Sequence, residues 1–88
     1  MTARKPTRAR KLGVTDEQYG SMLVAQQGRC AIPGCPRTPK TRRFAVDHDH
    51  RTGAVRALLC HVHNRYLPAW ITPEDLRHMA DYLEHHRG

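Results

Sequence analysis

The pattern of apolar and polar positions first predicts a helix near the amino terminus. Thr15 is suited to cap it, and Gln18 stands three residues later, where a capping box needs it. Tyr19, Met22 and Leu23 then recur at the spacing of one helical face. We therefore predict a helix that begins after Thr15, ends at Gly28 and turns this apolar stripe toward the core.

A β-hairpin and a short helix are predicted in the middle of the chain. Residues 44–46 are apolar and indicate a strand, Thr52-Gly53 indicates a turn, and Val55–Leu59 forms the returning strand. No helix breaker follows until Pro68, so a helix of about two turns is expected over residues 59–67. The expected order is strand, polar loop, strand, helix.

The clearest element is the last helix. Thr72 can cap it and Pro73 occupies its first position, which proline favours. Its apolar stripe comprises Leu76, Met79, Ala80 and Leu83. Trp70 precedes this helix, and we expect it to anchor the core, because large aromatic side chains dominate small cores.

Length and composition limit what these elements can build. The chain has 88 residues, of which 39% are hydrophobic and 6% aromatic. A chain this short supports one core, and a core this poor needs a metal or a partner chain for part of its stability. The sequence thus favours a small α+β domain over residues 14–88.

The charge of the chain points to a polyanionic partner. The formal net charge is +7 and the isoelectric point is near 10.0, which favours DNA. Residues 1–13 form a basic arm that we expect to be flexible until it meets phosphate. Its candidate DNA-contacting residues are Arg4, Lys5, Arg8, Arg10 and Lys11. A solubilising tail that contacts nothing is the alternative.

The cysteines indicate a reducing compartment. There are three, an odd number, which disfavours a secreted domain built on disulfides. No apolar run is long enough for a signal peptide or a membrane span. We therefore expect a cytoplasmic protein that does not enter a membrane.

The spacing of cysteine and histidine predicts a structural zinc site. Cys30 and Cys35 enclose four residues, and Cys60 stands three positions before His63. Zinc takes tetrahedral sets of such ligands. His63 is preferred to His61, because positions i and i+3 of a helix share one face. Three buried cysteines without metal are the alternative.

A second cluster of polar residues follows the first strand. Asp47, His48, Asp49 and His50 stand in a row, and Asn64 follows the predicted zinc ligand His63. Hydrolysis of a phosphodiester needs a base that works near neutral pH, as imidazole can, and a hard cation held by oxygen ligands. From the residues alone, a polar loop or a second zinc site is also open.

This cluster resembles the core motif of the recombination endonuclease VII family. The resemblance covers roughly residues 19–67 and is carried by Gln27-Gly28-Arg29-Cys30-Ala31-Ile32, Val46-Asp47-His48-Asp49-His50, Thr52-Gly53, Val55-Arg56, Leu58-Leu59-Cys60 and Asn64. It implies a zinc-stapled ββα-metal (His-Me finger, HNH-type) domain with flanking amino- and carboxy-terminal helices. It also implies a phage origin and a place in the bacterial host cytoplasm.

The same resemblance implies roles for individual residues. Asp47 and Asn64 would bind the catalytic Mg²⁺ or Mn²⁺, His48 would activate water, and His50 would hold or polarise the phosphate. Arg51 and Arg56 border this loop, where they either contact phosphates or are merely solvated.

The chain departs from the family pattern in ways that limit the resemblance. The family usually has C-x2-C at each zinc corner, and Ala57 stands where glycine is common. The best-known member is longer and forms an intertwined dimer that cuts branched DNA. Homodimerisation and the cleavage of junctions therefore stay open here, as do the preferred DNA structure or sequence and the catalytic cation.

The leading hypothesis is a metal-dependent DNA endonuclease that nicks or cuts by phosphodiester hydrolysis. A non-catalytic zinc-finger DNA-binding module is the alternative, and it leaves Asp47, His48 and Asn64 unexplained. A zinc-built scaffold for protein partners ranks last, because it does not account for the basic charge.

Overall fold

The computed structural model describes residues 12–39 and 42–87 of the chain. Within them lie helix α1 (Asp16–Ala25), strands β1 (Ala45–His48) and β2 (Val55–Leu59), helix α2 (His61–Tyr66) and helix α3 (Pro73–His85). This confirms the predicted small α+β class. The basic residues proposed at positions 4, 5, 8, 10 and 11 lie outside the described part.

Helix α1 begins with the predicted capping box. The side chain of Thr15 accepts from the Gln18 N–H at 3.0 Å, and the side chain of Gln18 accepts from the Thr15 N–H at 2.9 Å. Tyr19 is buried, and its hydroxyl donates to the Phe44 carbonyl at 2.8 Å. The helix ends at Ala25, three residues before Gly28, so it is shorter than predicted. The hydrogen bond from Tyr19 to Phe44 thus connects α1 to the residue that precedes β1.

The two strands form an antiparallel pair with one irregularity. Val46 pairs with Leu58, and His48 pairs with Val55. Between these pairs β1 has one residue, Asp47, whereas β2 has two, so a bulge lies on β2. The first strand extends two residues beyond the predicted 44–46 segment, and Asp47 and His48 therefore belong to the strand rather than to the loop.

The turn between the strands is held by Asp49. Its carboxylate accepts from the Arg51 N–H at 2.7 Å, and its backbone N–H donates to the Ala54 carbonyl at 2.8 Å. Gly53 has a φ of 77°, which most side chains avoid, and its N–H donates to the Asp49 carbonyl at 2.7 Å. The predicted Thr52-Gly53 turn is confirmed, and Asp49 serves it as a structural residue.

The core is small and contains all three cysteines. Its buried side chains come from α1, the loop after it, the hairpin and the cap of α2: Val14, Tyr19, Cys30, Cys35, Phe44, Val46, Leu58, Leu59 and Cys60. The remaining apolar side chains near it, Leu12 among them, are only partly buried. One third of the core therefore consists of cysteine, as expected for a domain that relies on a metal.

The Gln26 side chain connects the end of α1 to β2. Its amide oxygen accepts from the Leu58 N–H at 2.9 Å. Its amide nitrogen donates to the carbonyls of Leu58 and Arg29 at 3.0 and 2.8 Å. Leu58 is fully buried, so this one side chain satisfies backbone groups that water cannot reach.

Helix α3 does not join this core. It has the predicted cap, with Thr72 accepting from the Asp75 N–H at 3.1 Å, but it buries no residue. Trp70 is 70% exposed, so the expectation that it anchors the core is wrong. The core is already filled by α1, the cysteine loop and the hairpin, and the Trp70 segment runs outside it. No helix in the described ranges is both long and apolar enough to cross a membrane.

Candidate metal centres and active site

The structure brings the four predicted zinc-binding side chains together. One ligand atom from each of Cys30, Cys35, Cys60 and His63 lies within 4.8 Å of all the others. The Nδ1 atom of His63 is 3.3 Å from the sulfur of Cys60 and 3.8 Å from the sulfur of Cys30. Ligands of one tetrahedral ion are spaced in this way.

Two local structures present these ligands. The Cys35 N–H donates to the Ile32 carbonyl at 3.0 Å, and Gly34 in the same turn has a φ of 85°. Cys60 precedes α2 as its amino-terminal cap rather than lying inside the helix, and its sulfur accepts from the His63 N–H at 3.4 Å. His61 is exposed and lies outside the cluster. Cys60 and His63 thus have the expected i, i+3 spacing, but Cys60 is the residue that caps the helix and not a residue within it.

The electrostatics of the cluster favour a thiolate at Cys60. Burial alone would raise the pKa of the Cys60 thiol, but hydrogen bonds from His63, Cys30 and Cys35 outweigh it and lower that pKa to about 6. Burial raises the pKa of the Cys30 thiol. The Arg37 guanidinium lies 3.8 Å from the Cys35 sulfur. Three sulfurs and one imidazole form a donor set that zinc prefers, so the cluster could hold a zinc ion.

The two candidate catalytic histidines lie side by side. His48 ends β1, His50 begins the turn, and their ring centroids are 4.3 Å apart. His48 is half-buried and His50 is exposed. The two imidazoles are therefore close enough to contact one bound group.

The candidate metal ligand Asp47 is engaged by an arginine. Its two carboxylate oxygens accept from Nε and Nη2 of Arg56 at 2.6 and 2.9 Å. The β2 bulge places Arg56 opposite Asp47. Of the two arginines that border the loop, Arg56 therefore has a definite intramolecular partner.

Asn64 lies on α2, which packs against both strands. It lines a surface cleft together with Ala45, His61 and Arg65. Ala45 and Asp47 are two residues apart on β1, so their side chains leave the same face of the strand. Asn64 thus lies next to the strand face from which Asp47 projects.

Backbone hydrogen bonds from Arg51 and Thr52 lower the pKa of the Asp49 carboxyl group. This carboxylate is therefore ionised and bound to the turn. Of the four residues of the Asp-His-Asp-His run, Asp49 thus holds the loop, Asp47 pairs with Arg56, and the rings of His48 and His50 lie beside each other.

Comparison with known proteins decides the family. The model of the recombination endonuclease VII family matches residues 5–85. The chain belongs to this family.

Two relatives of this endonuclease VII-family chain come from mycobacteriophages. The Gene 59 protein of Mycobacterium phage D29 is 45% identical over 74 residues, which are 81% of this chain and 44% of the relative. The Gene 59 protein of Mycobacterium phage L5 is 46% identical over 59 residues, 66% of this chain and 35% of the relative. The matched region thus spans less than half of either relative. No solved structure matches the chain.

Sequence reasoning missed two side chains and one pairing that support the endonuclease VII-family site. Gln26 bridges α1 and β2, Arg37 approaches the cysteine cluster, and Arg56 pairs with Asp47. Only the last had a signal in the sequence: strand residues of opposite charge on a hairpin can be expected to pair. The bulge that sets their register carries no such signal.

Proposed function

We propose that this domain is a metal-dependent DNA endonuclease that hydrolyses phosphodiester bonds on a ββα-metal, His-Me finger (HNH-type) scaffold. Membership of the recombination endonuclease VII family supports a nuclease. The observation that carries the proposal is the pair of adjacent imidazoles, His48 and His50, beside Asp47 at the end of β1.

In this proposal His48 is the general base. It removes a proton from the attacking water, a task for which imidazole is suited near neutral pH. His50 is the more exposed of the two rings and donates a hydrogen bond to a phosphate oxygen. The two ring centroids are 4.3 Å apart, so the two tasks fall on neighbouring groups.

Asp47 and Asn64 are the proposed ligands of Mg²⁺ or Mn²⁺. Carboxylate and amide oxygens are the donors that such hard cations prefer. The cation would neutralise charge that develops on the phosphate during hydrolysis. The Cys/His cluster includes His63, the residue before Asn64, so zinc bound there would fix the part of α2 that presents Asn64.

The basic residues supply the proposed contacts with the DNA backbone. Arg51 and Arg56 flank the site, and the amino-terminal arm adds Arg4, Lys5, Arg8, Arg10 and Lys11. Contacts of this kind give affinity without reading sequence. We place the activity in the cytoplasm of a bacterial host, since the relatives are phage proteins and three unpaired thiols need a reducing compartment.

One observation favours a second candidate, a non-catalytic zinc-finger DNA-binding module. The Arg56–Asp47 ion pair satisfies both oxygens of Asp47 without any cation. In that case the pair would simply orient Arg56 on the hairpin, and the imidazoles would contact phosphate.

Cleavage of supercoiled plasmid in Mg²⁺ or Mn²⁺ separates the two candidates. We expect the wild type and His78→Ala, which removes an exposed imidazole on α3, to nick or linearise the plasmid. His48→Ala should be slower by at least about 100-fold, the typical contribution of a general base. If all three bind the plasmid in a gel shift and leave it intact, the binding module is the correct reading.

A further inference from the structure

A cleft separates the β1–β2 turn from the segment that leads into α3. One wall is polar and carries Asp49, whose carboxylate is bound to the turn, together with His50, Arg51 and Arg56. The other wall is apolar and carries Pro68, Trp70, Ile71 and Leu76. The cleft thus begins at the exposed imidazole of the proposed active site and ends at an indole.

Trp70 is the least expected member of this cleft. It is the single tryptophan of the chain and is 70% exposed. Tryptophan is enriched at binding surfaces, and this indole belongs to a contiguous apolar wall rather than standing alone. Its ring makes no aromatic contact with another described residue.

The opposite wall indicates what the indole meets. The guanidinium of Arg51 makes no hydrogen bond or ion pair with another residue in ranges 12–39 and 42–87, whereas Arg56 is held by Asp47. An available guanidinium and an imidazole beside an apolar aromatic surface match a nucleotide, whose phosphate is anionic and whose base presents a flat π face.

We propose that Trp70 stacks on an unpaired nucleobase of the DNA strand whose phosphate lies at His50 and Arg51. This inference rests on the proposed function, because it places that strand at the endonuclease site. The base must be unpaired, since neighbouring base pairs cover both faces of each base inside a duplex. Trp70 is then a binding residue that favours DNA with unpaired nucleotides next to the phosphate at the site.

Fluorescence provides a test that needs no cleavage. Because Trp70 is the only tryptophan, excitation selective for indole reports on this position alone. The zinc-loaded full chain, without added Mg²⁺ or Mn²⁺, is titrated with a short oligothymidine strand and with a duplex of equal length. We expect the single strand to quench the emission strongly and the duplex to quench it weakly.

Affinities of matched variants complete the test. Trp70→Ala should weaken binding of the labelled single strand by about tenfold and leave duplex binding within about twofold, because stacking on one base contributes on that scale. Trp70→Phe should restore part of the loss. Tyr82→Ala removes an aromatic ring that is 65% exposed on α3 but does not line the cleft, so it should change neither affinity.

Three results would overturn the inference: an indole emission unchanged by the single strand, equal losses for both DNAs in Trp70→Ala, or single-strand affinity of Trp70→Ala equal to the wild type. A fourth is a change of sedimentation in Trp70→Ala together with unchanged DNA affinity, which would make the indole part of a protein interface. An intact plasmid in the cleavage assay would contradict the endonuclease proposal. The binding measurements would still test the stacking of Trp70, because they do not depend on cleavage.

Discussion

Asp47 and Arg56 form a two-point ion pair across the bulge of the hairpin, with N···O distances of 2.6 and 2.9 Å. The Asp47 side chain is 12% exposed, whereas that of Arg56 is 50% exposed. A cation on Asp47 must use the same oxygens that Arg56 occupies. Arg56 is therefore a competitor of the proposed catalytic metal as well as a candidate phosphate contact.

This competition predicts opposite effects of Arg56→Ala on two ligands. Mn²⁺ affinity of the DNA-free protein should rise by about fivefold, since a pair of this exposure contributes up to roughly 1 kcal/mol. DNA affinity should fall. Electron paramagnetic resonance of free Mn²⁺ measures the first effect and fluorescence anisotropy the second. Arg77→Ala, which removes an exposed charge from α3, is the control, and weaker Mn²⁺ binding by Arg56→Ala would refute the competition.

The zinc cluster predicts unequal effects of two neighbouring histidines. His63→Ala should lower the melting temperature by at least about 10 °C, because a domain of this size loses roughly 4–8 °C per kcal/mol and a ligand contributes several. His61→Ala should stay within about 3 °C of the wild type. Thermal melts and zinc content per chain check this. Equal melting temperatures of the two variants would show that His63 is not a zinc ligand.

The low pKa of Cys60 predicts how zinc retention depends on pH. Because the fold lowers this pKa to about 6, the thiolate is available above pH 6 and is lost as the pH falls through that value. Zinc content measured after buffer exchange should be constant from pH 8 to about 6 and then decrease. Loss of half of the zinc already near pH 8 would contradict the assignment.

The Gln26 bridge predicts a stability effect of a side chain that is not itself a proposed metal ligand. Gln26→Ala should reduce the free energy of unfolding by about 1–3 kcal/mol, because it leaves the buried Leu58 N–H without its acceptor, whereas the Leu58 carbonyl still accepts from the Ala31 N–H. Val24→Ala, at a site that is 78% exposed on the same helix, should change it by less than about 0.5 kcal/mol. Urea unfolding compares them, and equal values would show that the bridge contributes nothing.

Local signals in the sequence predicted much of this fold. The capping box at Thr15, the Thr52-Gly53 turn and the cap at Thr72 depend on residues close together in the chain, and the structure has each of them. The spacing of cysteine and histidine likewise identified the four side chains that cluster in the structure.

What the sequence did not reveal depends on long-range packing. Trp70 looked like a core residue because its size favours burial, but nothing local shows that α1 and the hairpin already fill the core. The register of the hairpin could not be foreseen, because a one-residue bulge decides which β2 side chain faces Asp47. The amide of Gln26 reaches Leu58, 32 residues away, which no periodicity indicates.

The central claim is that Asp47 and Asn64 share a hard cation within reach of His48. A crystal of the zinc-loaded protein soaked in Mn²⁺ tests it through anomalous scattering, recorded on both sides of the manganese absorption edge. We expect a manganese peak that contacts an oxygen of each of the two side chains, distinct from a zinc peak at the Cys/His cluster. Manganese bound elsewhere, or Asp47 still paired with Arg56 at saturating Mn²⁺, would contradict the account.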